Sequence, residues 1–154
     1  MPIHTVDKMA GRYEVSKGFK KDDLIPLINA SDTSVIQFSS PLAQQEIDTL
    51  EEFVFSQRPD ITLRVYGHYM DECDLSFLKR LPSLRKILAD CLIKARGIEA
   101  VTELRNLETL GVGIFDLHNF DFLSEINPSL KQLSLHQTRS KKPSIDAIAR
   151  FVQL

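Results

Sequence analysis

Cysteine is scarce in this sequence: Cys73 and Cys91 are the only two among 154 residues. Two thiols set among ordinary loop and strand residues form no spaced framework, which excludes a scaffold stapled by several disulfides. Both fall at the same end of adjacent expected units, so a single bridge between them stays open. Long apolar runs are missing too. None approaches the ~20 residues that a membrane-spanning helix needs. The opening segment Met1–Lys8 lacks the basic-then-apolar order of a secretion signal, so a cytoplasmic location is expected. Nor is there an excess of positive charge: 19 Lys and Arg stand against 21 Asp and Glu, for a net charge of −2. That balance points away from nucleic acid and from anionic membranes as ligands.

What the chain does have is a period. Leu84, Leu107 and Leu130 fall 23 residues apart, and each opens the same kind of phrase. The phrases are Leu84-Arg-Lys-Ile87-Leu-Ala89, Leu107-Glu-Thr-Leu110-Gly-Val112 and Leu130-Lys-Gln-Leu133-Ser-Leu135, with apolar residues at offsets 0, 3 and 5. Pro59-Asp-Ile61, Pro82-Ser-Leu84 and Pro128-Ser-Leu130 keep the same phase, and Arg105-Asn-Leu107 fills the remaining slot. A fixed period in the twenties means stacked units, each too small to bury its own apolar face. With 43% apolar residues, a chain of this length buries roughly two-thirds of its unfolded surface and reads as one domain over 1–154.

Residues 1–33 lie outside the period and read as an N-terminal cap, since a stack needs a differently composed unit over its open end. Within them Arg12–Val15 suggests a short strand. Asp22–Ile28 suggests a helical turn opened by acidic residues, where Pro26 is tolerable only close to the helix start. Ser34–Phe38 then reads as a strand. Ser39-Ser-Pro41 reads as the opening of a helix whose Ala43, Ile47, Leu50 and Val54 share one face. That helix should stop before Arg58-Pro59. Ile61–Gly67 alternates strictly and predicts a strand with one buried face. Further strands are expected at about 85–89, 108–112 and 131–135. Each unit then carries a short helical stretch with apolar residues at every third place: Leu75, Leu78 and Leu81; Ile98, Val101 and Leu104; Phe120, Leu123 and Ile126; Ile145, Ile148 and Phe151.

Strand and helix alternating at this period, with Leu-x-x-Leu-x-Leu at the strand, resembles the leucine-rich repeat family. The resemblance covers residues 60–140 well, and 34–59 as a longer, divergent first unit. It implies an α/β solenoid over 34–154 with about five parallel strands on one face and helices on the other. The family places Asn or Cys just past the last strand leucine, where the side chain bonds the neighbouring turn. The corresponding places here hold His68, Leu92, Phe115 and Thr138, with Cys91 one residue early. The asparagine ladder is absent, so backbone groups in those turns must pair with other backbone or with water.

The resemblance implies a protein-binding module rather than an enzyme, with no cofactor. In such a solenoid alternate strand residues line a concave face. The partner-binding candidates on that face are Arg64, Tyr66, His68, Lys86, Leu88, Asp90, Gln132 and His136, with Gly111 and Gly113 leaving a shallow depression beside them. Tyr and Arg dominate interface energetics. The alternative is a plain solvated surface on which Arg64 and Lys86 pair with Asp90. By fold-level analogy, an inhibitor or immunity-type protein would suit a chain of this kind.

Other chemistry is thinly represented. The loop His68–Asp74 carries His68, Asp71, Glu72, Cys73 and Asp74, yet consecutive loop residues rarely converge on one metal ion. It reads as a hydrophilic turn whose acidic end caps the helix near Leu75. His4, His68, His118 and His136 are scattered, with no nucleophile setting around them. Gly111-Val-Gly113 lacks the third glycine and the lysine of a nucleotide loop. No metal site is expected, and a metal-dependent enzyme ranks behind a purely structural or oligomerising module. At the far end the basic turn Arg139–Lys142 leads into a helix over 144–153. That helix either caps the last strand or leaves its edge free for a homodimer.

Overall fold

The architecture is a seven-stranded, mostly parallel sheet backed by short helical turns, seen in a computed structural model that describes residues 1–136, Thr138 and 143–154. The strands are β1 (Ile3–Asp7), β2 (Arg12–Val15), β3 (Val35–Phe38), β4 (Thr62–Gly67), the two-residue β5 (Cys73–Asp74), β6 (Lys86–Leu92), the two-residue β7 (Ala95–Arg96), β8 (Thr109–Ile114) and β9 (Gln132–Leu135). The main sheet runs in the order β1-β2-β3-β4-β6-β8-β9, while β5 and β7 pair with each other outside it. The five strands expected from the repeat, β3, β4, β6, β8 and β9, all pair in parallel.

The register explains the period. Leu63 stands beside Ile87, Ile87 beside Leu110, and Leu110 beside Leu133. Equivalent residues of successive units thus form one continuous apolar layer. Leu84, Leu107 and Leu130 are completely buried, as are Val65, Ala89 and Val112. Burying a leucine in this way is worth roughly 1.5–3 kcal/mol each, an upper estimate for a compact unfolded state.

The first residues depart from the expected turn-and-strand outline. β1 was not foreseen; it forms an antiparallel hairpin with β2, which itself pairs in parallel with β3. The sheet therefore begins before the repeats do. The helix α1 spans Lys21–Asn29, which puts Pro26 in its second turn rather than at its start. That position is tolerated on a helix only nine residues long, where the lost N–H costs one bond near the end.

The next helix, α2 (Gln44–Leu50), starts later than Ser39-Ser-Pro41 predicts. Ser39 is spent elsewhere, its hydroxyl donating to Glu14 at 2.9 Å. The N-terminus of α2 is closed instead by the Glu46 carboxylate, which accepts the Ala43 N–H at 2.6 Å. α2 then widens into a π-helical turn, Glu51–Phe55. The extra residue per turn lets both Val54 and Phe55 reach the core, where neither is exposed.

The later units carry 3₁₀ turns instead of α-helices, at Leu75–Arg80, Ile98–Glu103, Asp121–Glu125 and Asp146–Arg150. Their apolar residues recur at every third place, which is the 3₁₀ repeat of three residues per turn. The segment expected as a helix over 144–153 is the last of these turns, packed on the turn Asp121–Glu125. The basic turn Arg139–Lys142 lies outside the described residues.

Two arginines tie this convex layer together. Arg58 Nη1 donates to the carbonyls of Ile28 and Ala30 at 2.8 and 3.1 Å, and Nη2 to that of Thr33 at 3.2 Å. Arg150 Nη1 donates to the carbonyls of Leu123 and Ile126 at 3.0 and 2.6 Å. Each guanidinium gathers carbonyls at and beyond the end of an earlier helical segment, of which Ala30 and Leu123 also accept a backbone N–H. No helix among the described residues is long and apolar enough to cross a membrane.

Candidate functional site

Alternation along β2, β3, β4 and β6 brings polar side chains from four strands onto one face. Glu14 is buried, and its carboxylate accepts from Gln37 Nε2 at 2.7 Å, Ser39 Oγ at 2.9 Å and Tyr66 OH at 2.7 Å. Burial pushes the Tyr66 hydroxyl above its ordinary pKa, and the bond to Glu14 pushes it the same way. Gln37 passes the network on by accepting from Arg64 Nη1 at 3.3 Å. The Arg64 Nε donates to Asp90 at 2.9 Å, and its guanidinium lies 4.4 Å from the centre of the Tyr66 ring. Arg64 is thereby fixed from three sides, by hydrogen bonds and by a cation–π contact.

A bulge in β6 sets the far side of this patch. Val65 pairs with Ala89 and Gly67 with Leu92, so β6 spends one residue more than its neighbour over the same span. Cys91 takes up the slack in the left-handed region, at φ 53°, and is exposed, while Leu92 turns into the core. The extra residue brings Leu92 level with Gly67 and Ile114, so the place held by His68 and Phe115 in the neighbouring units falls to Ile93 rather than to Leu92. Both thiols are free, Cys73 buried and Cys91 exposed. Burial, and then the neighbouring Asp74 charge, push the Cys73 thiol up to about 12.

The remaining expected residues divide. Lys86 is half-buried beside the patch, and its charge helps hold Asp60 low, after the larger effect of the Arg58 hydrogen bond. Leu88 folds over Gly111: a side chain placed on that glycine would come within 2.6 Å of Leu88 Cδ2. The depression expected there is therefore filled. At Gly113 it stays open, floored by bare backbone between Asp90 and His136. Gln132 accepts from Thr109 Oγ1 at 3.1 Å, and His136 Nε2 pairs with Ser134 Oγ at 3.0 Å. His68 does not join the others. It is buried, at φ 53°, with Nδ1 on the Tyr66 carbonyl and its ring edge-on to Phe38 in the core.

Above the sheet, the open space at Gly113 is a hollow of about 580 Å³ lined by Asp90, Cys91, Ile93, Phe115 and His136 among others. Ile93 is 61% and Phe115 51% exposed on its rim. The turns there are held without asparagine. Phe115 and Asp116 donate backbone N–H groups to the carbonyls of Leu92 and Ile93 at 2.8 and 3.1 Å. The Asp116 carboxylate accepts the Ala95 N–H from the unit before it at 3.2 Å. Backbone pairing, as expected, replaces the ladder, with one carboxylate doing a ladder residue's task.

Solved structures share the fold of this chain. Internalin C2 from Listeria monocytogenes matches 86% of this chain at 19% identity with a TM-score of 0.52. An internalin F from the same organism matches 94% at 18% identity with a TM-score of 0.54. The fold is the leucine-rich repeat solenoid.

This solenoid is short: it spans 54% of the length of internalin C2 and 39% of that of internalin F. No family model and no curated protein sequence matches it.

The sequence pointed to Arg64, Tyr66 and Asp90 through their spacing on neighbouring strands. It did not reveal Glu14, which lies outside the repeat, nor the exposed pair Ile93 and Phe115. A signal for the pair was present, since two large apolar residues stand where the repeat expects the polar turn. The loop His68–Asp74 assembles no metal site. Asp74 accepts the Ser76 N–H at 3.0 Å and so caps the 3₁₀ turn at Leu75, and no metal-binding cluster is found among the described residues.

Proposed function

We propose that this protein is a non-enzymatic recognition module that binds a protein partner through its concave sheet and the loops above it. The observation that carries the reading is the hollow at Gly113, rimmed by exposed Ile93 and Phe115 beside an Arg64 already fixed to Asp90. Apolar groups around an ordered charged pair are the anatomy of an interface hot spot, where binding costs little further ordering. Lys86, Leu88, Gln132 and His136 flank it and belong to the proposed contact surface. His68 contributes from behind, by holding the Tyr66 carbonyl at 3.0 Å.

A photo-crosslinking side chain placed at Phe115 in cells, and separately at exposed Gln45 on the helical side, tests the proposal. Capture of one protein from position 115 but not from position 45, abolished by Ile93→Glu, is the expected result. Capture only from position 45 would overturn it. The finer reading, that binding inhibits the partner as an immunity-type protein does, requires the captured protein to lose its activity when mixed with this chain.

A further inference from the structure

A second cavity lies apart from that face. It is a cleft of about 510 Å³ between the start of α2 and the 3₁₀ turn Leu75–Arg80, well inside the ~300–1,000 Å³ range of small-molecule sites. Its apolar wall includes Phe38, Leu42, Ile47 and Phe77. The rings of Phe38 and Phe77 stand 5.6 Å apart, tilted by 55°, and Phe38 meets the His68 ring at 6.2 Å and 64°. Three rings thus present edges and faces to one space.

Among the uncharged polar residues that line the cleft, Gln44, His68 and Ser76, His68 stands against the aromatic wall, and its orientation is fixed. The Ser39 carbonyl accepts its backbone N–H at 3.0 Å, and the His68 carbonyl accepts the Asp71 N–H at 3.2 Å. Its ring Nδ1 lies 3.0 Å from the Tyr66 carbonyl oxygen. A carbonyl only accepts, so Nδ1 carries the hydrogen and Nε2 of the neutral ring is an acceptor. Nε2 has no hydrogen-bond partner among the described residues, although His68 is only 8% exposed. Nε2 is not among the buried atoms that lack a partner, so it meets water from the cleft, and a ligand donor can take that water's place.

The charges at the mouth of the cleft are already spent. Arg80 holds both oxygens of Asp48 at 2.7 and 2.6 Å, and Lys79 holds Glu103 at 3.3 Å. Arg96 reaches Asp74 at 2.9 Å and Glu72 at 3.9 Å. An ionic ligand would lose water here without gaining a counter-charge, so the cleft favours a neutral one.

We propose that this cleft binds a neutral aromatic ring bearing one hydrogen-bond donor, a phenol or an indole. The ring packs on Phe38 and Phe77, and its O–H or N–H donates to His68 Nε2. Such a ring can arrive free or as the tyrosine or tryptophan side chain of a partner. The site shares His68 with the recognition reading but neither Ile93 nor Phe115 of the exposed rim, and binding of a small ring here is read without any protein partner.

Titration of the full chain with p-cresol, 3-methylindole and toluene, followed through backbone amide shifts in NMR, tests this. The expected result is saturable shifts at Phe38, Leu42, His68 and Phe77, with p-cresol binding about fivefold more tightly than toluene, as one net hydrogen bond gives. His68→Asn, a residue that tolerates the left-handed backbone, should bring p-cresol to the toluene level. Equal binding of p-cresol and toluene, or no shifts at these amides up to the solubility limit, would overturn the proposal even where His68→Asn does not fold. N-acetyl-tyrosine-amide separates the sources: binding as tight as p-cresol supports a partner's side chain, and exclusion while p-cresol binds supports a free ligand.

Discussion

The Tyr66 hydroxyl donates to the Glu14 carboxylate at 2.7 Å across 52 positions of sequence. This bond ties a strand of the repeat to a strand that precedes it. Glu14 takes two further donors, from Gln37 and Ser39. Tyr66→Phe should therefore cost about 1.5–3 kcal/mol, the range for hydrogen bonds to charged groups. Glu14→Ala should cost more, because three donors lose their acceptor at once. Urea denaturation of both variants and of the double variant measures the coupling, and a coupling near zero would contradict the shared network.

The same contact has a titration signature. The raised pKa of Tyr66 favours its neutral form, so the associated stabilisation is present below its unfolded value of about 10 and is lost as pH rises through its folded value. Ultraviolet phenolate absorbance should show a tyrosine ionising late in the native protein. Glu14→Gln should bring that ionisation to lower pH.

Acid should act through carboxylates. Asp74 is held low first by the Ser76 backbone N–H, then by the Ser76 hydroxyl and Arg96; Asp60 is held low first by its hydrogen bond with Arg58. Depressed carboxylates stabilise the fold above their unfolded value and stop doing so as they protonate. The melting temperature should hold from neutral pH down to about 4 and fall below it, with Arg58→Gln removing part of that fall. A flat profile through this range would exclude these pairs as contributors.

The two thiols should react unequally. Cys73 is buried, with its pKa pushed up to about 12, whereas Cys91 is exposed. Only the thiolate reacts, so a thiol-specific reagent should modify one cysteine in the native protein and both after denaturation. Cys91→Ser should then leave no fast-reacting thiol.

The repeated leucines should behave as a set. Leu84, Leu107 and Leu130 share the same place in three units and none is exposed. Each changed to Ala should cost about 2–5 kcal/mol. Leu107, with a full unit on either side, should sit at the upper end of that range, which chemical denaturation would read directly.

Much of the sheet was legible because strand residues alternate and the stack repeats. Leu63, Ile87, Leu110 and Leu133 carry both signals, and they stand in one row. β1 was not legible: of its five residues only Ile3 is partly buried, so no apolar face marks it. The 3₁₀ turns were written in the spacing of Leu75, Leu78 and Leu81, yet that spacing also suits one stripe of an α-helix. Within the candidate site, Arg64 and Asp90 could be paired by strand counting alone. Glu14 could not, since it lies in the segment before the repeats and its partners Gln37, Ser39 and Tyr66 lie 23, 25 and 52 residues away. The β6 bulge was equally hidden, because one extra residue changes pairing without changing composition.

Protein synthesis gives the arginine clamps a direction in time. The carbonyls of Ile28, Ala30 and Thr33 leave the ribosome before the guanidinium that holds them, which belongs to a residue 30 positions after Ile28. A nascent chain halted short of Arg58 therefore carries a first helix whose end is still open to water. The other end of the stack repeats the order, with Arg150 arriving 27 and 24 residues after Leu123 and Ile126. In both places the closure of a helical segment waits for residues made later.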